Sequence, residues 1–315
     1  MDAPNTHSLN TLMGSLKAIA EPTRLRLLAL LERGELAVSE LVQVTGQSQP
    51  RISRHLKLMT EAGVLDRFRE GGWVFYRLAD TGPGKGLTRC LMDLLPLDDP
   101  SLRHDLDRLA DVKAARDRSA QEYFQRVARD WDRLRTLHVD DAVVEGALLE
   151  ALPENLGDLL DLGTGTGRML ELLAGRAGRA EGVDQSHDML TVARANLDRA
   201  GITSATVRQA DIYQLPYADE TCDTVVIHQV LHFLDRPVDA IAEAARVLRP
   251  QGCLVVVDFS PHDLEALRIE HSHRRLGFAE EEVAGWFRDA HLIPGKVRHL
   301  AGDPLTVTIW QARHD

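Results

Sequence analysis

The residues best equipped for chemistry are Asp161-Leu162-Gly163-Thr164-Gly165-Thr166-Gly167, a D-x-G-x-G-x-G run. It follows the apolar pair Leu159-Leu160 and precedes Met169-Leu170-Glu171-Leu172-Leu173, so it reads as a buried strand, a glycine turn and a helix. Alternate glycines let a ligand approach the backbone closely, and a helix start offers free N–H groups. A dinucleotide fingerprint, G-x-G-x-x-G, needs glycine where Arg168 stands. Two further acids follow at expected strand ends. Asp184 comes 23 residues after Asp161, an offset at which a carboxylate hydrogen-bonds both hydroxyls of a ribose. Asp211-Ile212 is placed to accept from an adenine amino group.

Asp161 and Asp184 taken alone also fit helix caps; the coincidence of three acids with the glycine loop is what carries meaning. An acid at the mouth of the loop serves a pyrophosphate poorly and a ligand bearing an amino group and a sulfonium well. That pattern favours S-adenosyl-L-methionine, with S-adenosyl-L-homocysteine as product. Methyl transfer from a sulfonium rests mainly on positioning, and a base is needed only for a protonated acceptor. His228, after the fourth expected strand, is the candidate base and also a candidate cofactor contact.

Around these residues, strands alternate with helices, the signature of a mostly parallel sheet wound with helices on both faces. The expected strands are 158–162, 179–183, 206–209, 224–228, 253–259, 296–300 and 305–311, the last two as an antiparallel hairpin. Ahead of them lies a different pattern. Ser8–Ala20 and Pro22–Gly34 carry helical apolar spacing, Ser39 stands before a short helix over 40–44, and Ser48 before one over 49–61. Two short helices across Gly46 form a helix-turn-helix. Strands over 64–69 and 73–78, joined at Glu70-Gly71-Gly72, add a hairpin wing. Ser48, Gln49, Arg51, Ser53, Arg54, His55 and Lys57 lie outside the apolar stripe Ile52, Leu56 and Met59, suited to base edges in a major groove. Arg67, Arg69 and Arg77 on the wing are candidates for phosphates or the minor groove. Double-stranded operator DNA is the expected partner.

The chain of 315 residues is long enough for two cores, and its net charge of −11 argues against non-specific nucleic-acid binding by the whole. The charge is uneven: residues 1–95 hold 12 Lys and Arg against 10 Asp and Glu, about +2, leaving about −13 on the remainder. Cys90, Cys222 and Cys253 provide neither a disulfide framework nor a metal pair. His228-Gln229-Val230-Leu231-His232 lacks the glutamate of H-E-x-x-H, so no metal is expected. No 18-residue apolar run or signal pattern is present, so no membrane partner and a cytoplasmic location are expected. Charged residues 101–137, free of Gly and Pro, read as one or two long helices with a solvated face. The segment 261–278 holds His262, Arg268, His271, His273, Arg274 and Arg275, either as a solvated amphipathic helix or as a substrate lid.

Two resemblances follow. Leu27-Leu28-Ala29-Leu30-Leu31 and the run from Ser48 to Leu65 resemble the ArsR (arsenical-repressor) family of dimeric bacterial regulators, over about residues 8–95. The resemblance implies a homodimer packed through terminal helices. Many relatives sense metals through cysteines before the turn or Asp/His ligands on the last helix. This chain has Glu35–Glu40 without cysteine at the first place and only Cys90 and Asp93 at the second. The segment 119–260 resembles a class I S-adenosylmethionine-dependent methyltransferase of the ubiquinone/menaquinone-biosynthesis type. The resemblance rests on the glycine loop, Gly182-Val183-Asp184, Met189-Leu190, Ala210-Asp211, Val230-Leu231-His232 and Arg246–Gly252, with Gln251 replacing the usual glycine. It implies cofactor contacts at Asp161, Gly163, Thr164, Gly165, Gly167, Asp184, Gln185, Met189, Asp211, Ile212 and His228, with Tyr123 and its neighbours Phe124 and Trp131 as a lid; simple helix packing is the equal alternative for Tyr123.

The expected architecture is thus a winged helix-turn-helix over 1–97, a helical linker over 98–118 and a Rossmann-like methyltransferase domain over 119–315. The expected function is regulation of transcription, fused to methylation of a small-molecule acceptor, with cofactor or substrate state coupled to DNA binding. The alternative is a repressor whose second domain senses S-adenosylmethionine or its product without turnover.

Overall fold

The computed structural model describes residues 8–70, 73–79, 84–135, 139–270 and 273–315. Gly71, Gly72 and His271, and the side chains of Tyr123, Phe124, Trp131 and Arg268, lie outside the described residues. The chain divides into two compact units, Met1–Arg116 and Asp117–Asp315.

The first unit runs α1 (Leu9–Ile19), α2 (Pro22–Leu31), β1 (Leu36–Ala37), α3 (Val38–Thr45), α4 (Gln49–Glu61), β2 (Leu65–Glu70), β3 (Trp73–Leu78), α5 (Gly84–Leu94) and the start of α6 (Pro100–Arg135). Proline opens α2 and Gly46 closes α3 in a left-handed conformation, as their backbone preferences require. Two expected caps are corrected. Helix α3 starts at Val38, before Ser39, because Glu40 reaches back to accept from the Ala37 N–H at 2.7 Å. Ser48 precedes α4 in an extended conformation, but its hydroxyl makes no cap bond. The short strand β1, absent from the sequence reading, pairs with β3 and completes a three-stranded sheet in the order β1-β3-β2.

The segment expected as a linker is also corrected in part. Leu102, Leu109 and Val112 of α6 are buried, the last two within the core formed by Leu27, Leu30, Leu41, Val44 and Ile52. Their seven- and three-residue spacing keeps them on one helical stripe, and that stripe faces protein rather than water. Asp105 on the same side is 1% exposed and accepts from Arg26 Nε at 2.6 Å and Nη2 at 2.7 Å. Arg116 Nη2 donates to Glu40 at 2.7 Å, so α6 is fastened to the first helix of the helix-turn-helix.

The second unit continues with α7 (Asp141–Ala151), β4 (Gly157–Leu162), α8 (Arg168–Leu173), β5 (Ala177–Asp184), α9 (His187–Ala200), β6 (Ala205–Gln209), β7 (Cys222–His228), α10 (Pro237–Val247), β8 (Leu248–Phe259), α11 (Glu265–Glu270), α12 (Glu280–Asp289), β9 (Leu292–Leu300) and β10 (Val307–His314). Seven strands form one sheet in the order β6-β5-β4-β7-β8-β10-β9, parallel except for β10, which runs antiparallel to β8 and β9. Successive strand residues point to opposite faces, so each central strand serves two cores. Val226, Val255 and Val257 pack on one side with Leu170 and Leu190; Val225, Leu254 and Val256 pack on the other with Ile241 and Phe287. The strand order reverses between β4 and β7, the place in such sheets where ligands meet the carboxyl ends of the strands. Among the described residues no helix is long and apolar enough to cross a membrane.

Candidate functional site

The glycine loop leaves β4 at that reversal. Gly163 and Thr164 both donate to the Val183 carbonyl, at 2.8 and 2.9 Å, which folds the loop back onto β5. Gly163 has φ +73°, and a Cβ there would stand 2.5 Å from a Val230 methyl, so glycine is required on two grounds. Gly165 has φ +52° and nothing but the Gly163 carbonyl near its missing Cβ, which leaves its outer face open to a ligand. Asn196 of α9 donates to the Thr166 carbonyl at 2.9 Å and holds the far side of the loop. The sequence reading missed Asn196, which acts on the loop from another element and carries no local signal; it named Val230 within a motif but not its contact with Gly163.

The three acids stand on neighbouring strands. Asp161 pairs across to Gly182 of β5, Asp184 ends β5 beside Gln209 of β6, and Asp211 follows β6 on the surface. Asp184 accepts from the Gly165 N–H at 2.9 Å and the Ser186 N–H at 2.8 Å. Burial pushes its carboxyl up, and these N–H donors partly offset that. Asp161 is 1% exposed. Its Oδ2 has no hydrogen-bond partner; the Thr164 hydroxyl lies near enough to ease the charge but outside bonding geometry. Burial, with the nearby Asp184 charge, pushes Asp161 up to about 7. A buried acid with no donor on Oδ2, beside an open glycine turn, fits a ligand that brings a positively charged donor. Gln185 is exposed, Met189 and Ile212 are half-buried, and Asp211 accepts from the Tyr213 N–H at 2.9 Å. His228 closes β7, and Gln229 after it takes the left-handed φ of 55°, its N–H donating to Val257 at 2.7 Å.

The histidine-rich segment departs from the expectation of one amphipathic helix, because α11 spans only Glu265–Glu270. His273 is instead 2% exposed, stacked on His232 with ring centroids 4.1 Å apart.

In the first unit, Ser48, Gln49, Arg51, Arg54 and Lys57 are exposed on α4, and Ser53 is half-buried. A cleft of about 800 Å³ separates α4 from the hairpin, lined among others by Gln49, Ser53, Lys57, Arg67 and Trp73. Arg67 and Arg69 are exposed on β2. Two residues expected on this surface are placed elsewhere. Arg77 is buried at 3.6 Å from both Glu35 and Asp66, with its guanidinium over the Phe68 ring. The two-residue period of the hairpin puts it on the Phe68–Phe75 face, opposite Arg67 and Arg69. His55 is half-buried with Nδ1 3.7 Å from Glu21 at the start of α2, and burial lowers its pKa.

The comparisons agree with both halves. Residues 21–67 match the family described as bacterial regulatory protein, arsR family. The Arsenic resistance transcriptional regulator ArsR1 of Pseudomonas putida is 40% identical over 97 residues, 30% of this chain and 75% of that regulator. The chain belongs to the ArsR family. Residues 160–256 of this ArsR-family chain match a family described as methyltransferase domain. The Phosphatidylethanolamine N-methyltransferase of Cereibacter sphaeroides is 34% identical over 135 residues, 42% of this chain; the chain spans 64% of that relative's length. A chain from the complex of the Haloferax volcanii Trm112 methyltransferase activator with a methyltransferase superposes with a TM-score of 0.50 at 22% identity. That match covers 62% of this chain and 97% of that one, and it shows the fold.

Proposed function

We propose that this ArsR-family regulator binds operator DNA as a homodimer through α4 and the wing. Its second unit binds S-adenosylmethionine and transfers the methyl group to a small molecule. Asp161 carries the reading: an acid 1% exposed, raised to about 7 by burial, at an open glycine turn. When bound, the cofactor supplies a methyl group activated by a sulfonium. This chain's own residues supply the rest. Asp161 meets the cationic end, Asp184 the ribose, Asp211 the adenine, and Gly163 and Gly165 give the backbone its close approach. The dimer face is supported by exposed Leu9, Leu12 and Met13 on α1 and Leu94 on α5, apolar groups left open at the terminal helices of the first unit.

Coupling of the two activities is supported by α6. It is fastened to the helix-turn-helix through Arg26–Asp105 and Arg116–Glu40 and continues as one helix to Arg135. A ligand that biases α6 therefore acts on an element already bonded to α3. The same feature serves the second reading, a sensor that binds cofactor without turnover. The test is an operator-binding titration with no ligand, S-adenosylmethionine or S-adenosylhomocysteine, using Asp161→Ala and Asp184→Ala as controls. A cofactor-dependent change in affinity that both variants abolish is expected; affinity unmoved by either ligand would overturn the coupling. Labelled-methyl transfer to metabolite extracts separates enzyme from sensor.

A further inference from the structure

The turn that packs on the glycine loop holds a second constellation. Val230 blocks the Cβ position of Gly163, and two residues later His232 enters a short helical turn, Leu231–Phe233. His232 is 3% exposed and Asp258, near the carboxyl end of β8, is 0% exposed. Nδ1 of His232 lies 2.8 Å from Asp258 Oδ1. Asp258 also accepts from the backbone N–H of Phe259 at 2.8 Å and of His232 at 3.3 Å. Two backbone N–H donors and the His232 ring converge on one buried carboxyl, and the two fixed donors suit its ionised form. A carboxylate only accepts, so Nδ1 holds the proton and the lone pair of the neutral ring is on Nε2, which has no hydrogen-bond partner among the described residues. An imidazole whose tautomer and ring plane are held by a buried carboxylate is built to take a proton at Nε2 and stabilise the resulting cation.

The surroundings fit an acceptor rather than the cofactor. Phe233, 44% exposed, lies 4.1 Å from the His232 ring, and Phe259 and His273 complete an aromatic wall. This wall stands over the carboxyl ends of β7 and β8, on the opposite side of β4 from Asp184 and Asp211.

Building on the methyltransferase reading, we infer that His232, positioned by Asp258, is the base that deprotonates the methyl acceptor. The acceptor is then a protonated nucleophile X–H, a phenol, thiol or amine, presented against the aromatic wall. As the bond from X to the methyl carbon forms, the carbon–sulfur bond breaks and its electron pair neutralises the sulfonium. The X–H proton passes to Nε2, and Asp258 balances the imidazolium. Asp258 is a positioning residue in this scheme.

The experiment uses the full chain and the variants His232→Asn and Asp258→Asn. Asparagine at 232 keeps an N–H donor for Asp258, so the carboxylate is not stranded. Selective ¹⁵N-histidine NMR reports the tautomer, calorimetry the binding of S-adenosylhomocysteine, and labelled S-adenosylmethionine the methyl transfer to a panel of phenols, thiols and amines. The expected result is an Nδ1–H tautomer at His232 in the parent protein that Asp258→Asn loses. Product affinity should stay within about twofold in both variants. Transfer by His232→Asn should fall about 10²- to 10⁴-fold and lose the rising limb of its pH profile. Among the described residues the titratable groups facing His232 are Asp258 on β8 and His262 and His273 on the segment after it, while Arg274 and Arg275, which donate their N–H groups to the His232 carbonyl, spend their charges on Asp235 and Glu282; parallel profiles of His262→Gln and His273→Gln therefore assign that limb. An Nε2–H tautomer, or a His232→Asn variant that transfers methyl within threefold of the parent, overturns the assignment alone. Parent protein that binds S-adenosylhomocysteine yet methylates no acceptor overturns the enzyme reading and this assignment with it.

Discussion

Replacing Asp161 by asparagine should make the second unit more stable and a poorer cofactor binder. Burial carries the Asp161 carboxyl from its ordinary 3.8 to about 7. At 1.36 kcal/mol for each tenfold change, that corresponds to about 4 kcal/mol between the folded and unfolded states. The sign follows from the direction. An acid raised on folding contributes fully below its unfolded value of 3.8, and the contribution is lost as pH climbs to about 7. Above that, the unliganded unit holds a buried carboxylate with no donor on Oδ2. Asp161→Asn keeps the shape and carries no charge at any pH, so at pH 8 it should exceed the parent by up to about 4 kcal/mol. For a unit of this size that means a rise in Tm of up to about 10 °C. The difference should shrink to about half that or less at pH 5, and the two should nearly converge only below about pH 3.8. Urea unfolding of the unliganded full chain at pH 5, 6, 7 and 8 measures this directly. Cofactor binding should show the reverse. A cationic amine that pairs with Asp161 releases a proton below pH 7, so the parent's affinity for S-adenosylhomocysteine should fall by up to tenfold per pH unit there, and the calorimetric heat should depend on the buffer. Asp161→Asn should bind more weakly and without that dependence. If Asp161→Asn is less stable than the parent at pH 8, or their difference does not change with pH, the stored-charge argument is wrong.

Three other outcomes follow from geometry. Gly163→Ala places a Cβ 2.5 Å from Val230 at φ +73°, and it should lose more than about 1–2 kcal/mol and most cofactor affinity, with partial recovery in Gly163→Ala/Val230→Ala by calorimetry. Asp105→Ala strands Arg26 and should destabilise the first unit by about 3 kcal/mol, the low end for a buried pair because Arg26 is partly exposed; urea unfolding checks it against an Arg26→Met/Asp105→Leu double variant, which should be less affected. Arg67→Ala should lower the salt dependence of operator binding by about one phosphate contact. Arg77→Ala should leave that slope unchanged and lower thermal stability instead, because its guanidinium is engaged with Glu35, Asp66 and Phe68.

Much of this protein was legible along the chain because the relevant physics is local. Apolar periodicity located the seven strands of the second sheet and the helices of the first unit, and Gly46 and Pro22 act within one turn of themselves. The glycine loop with its acids is equally compact: left-handed φ angles and a strand-end carboxylate are demanded by adjacent residues. What escaped depends on partners far apart in sequence. Whether an arginine meets solvent or Glu35 is decided by the face that hairpin register assigns it, which is how Arg77 differs from Arg67. The solvated appearance of α6 dissolves once Asp105 finds Arg26 at 2.6 Å, 79 residues away. A separation of 26 residues likewise hid the Asp258–His232 pair: Val230-Leu231-His232 was legible as a motif, but a sheet was needed to bring β8 against the turn after β7. Residue types and short spacings thus determined which chemistry this chain carries. Tertiary packing decided which charges are spent inside the protein and which face a ligand, because burial sets both the energy of a charge and the company it keeps.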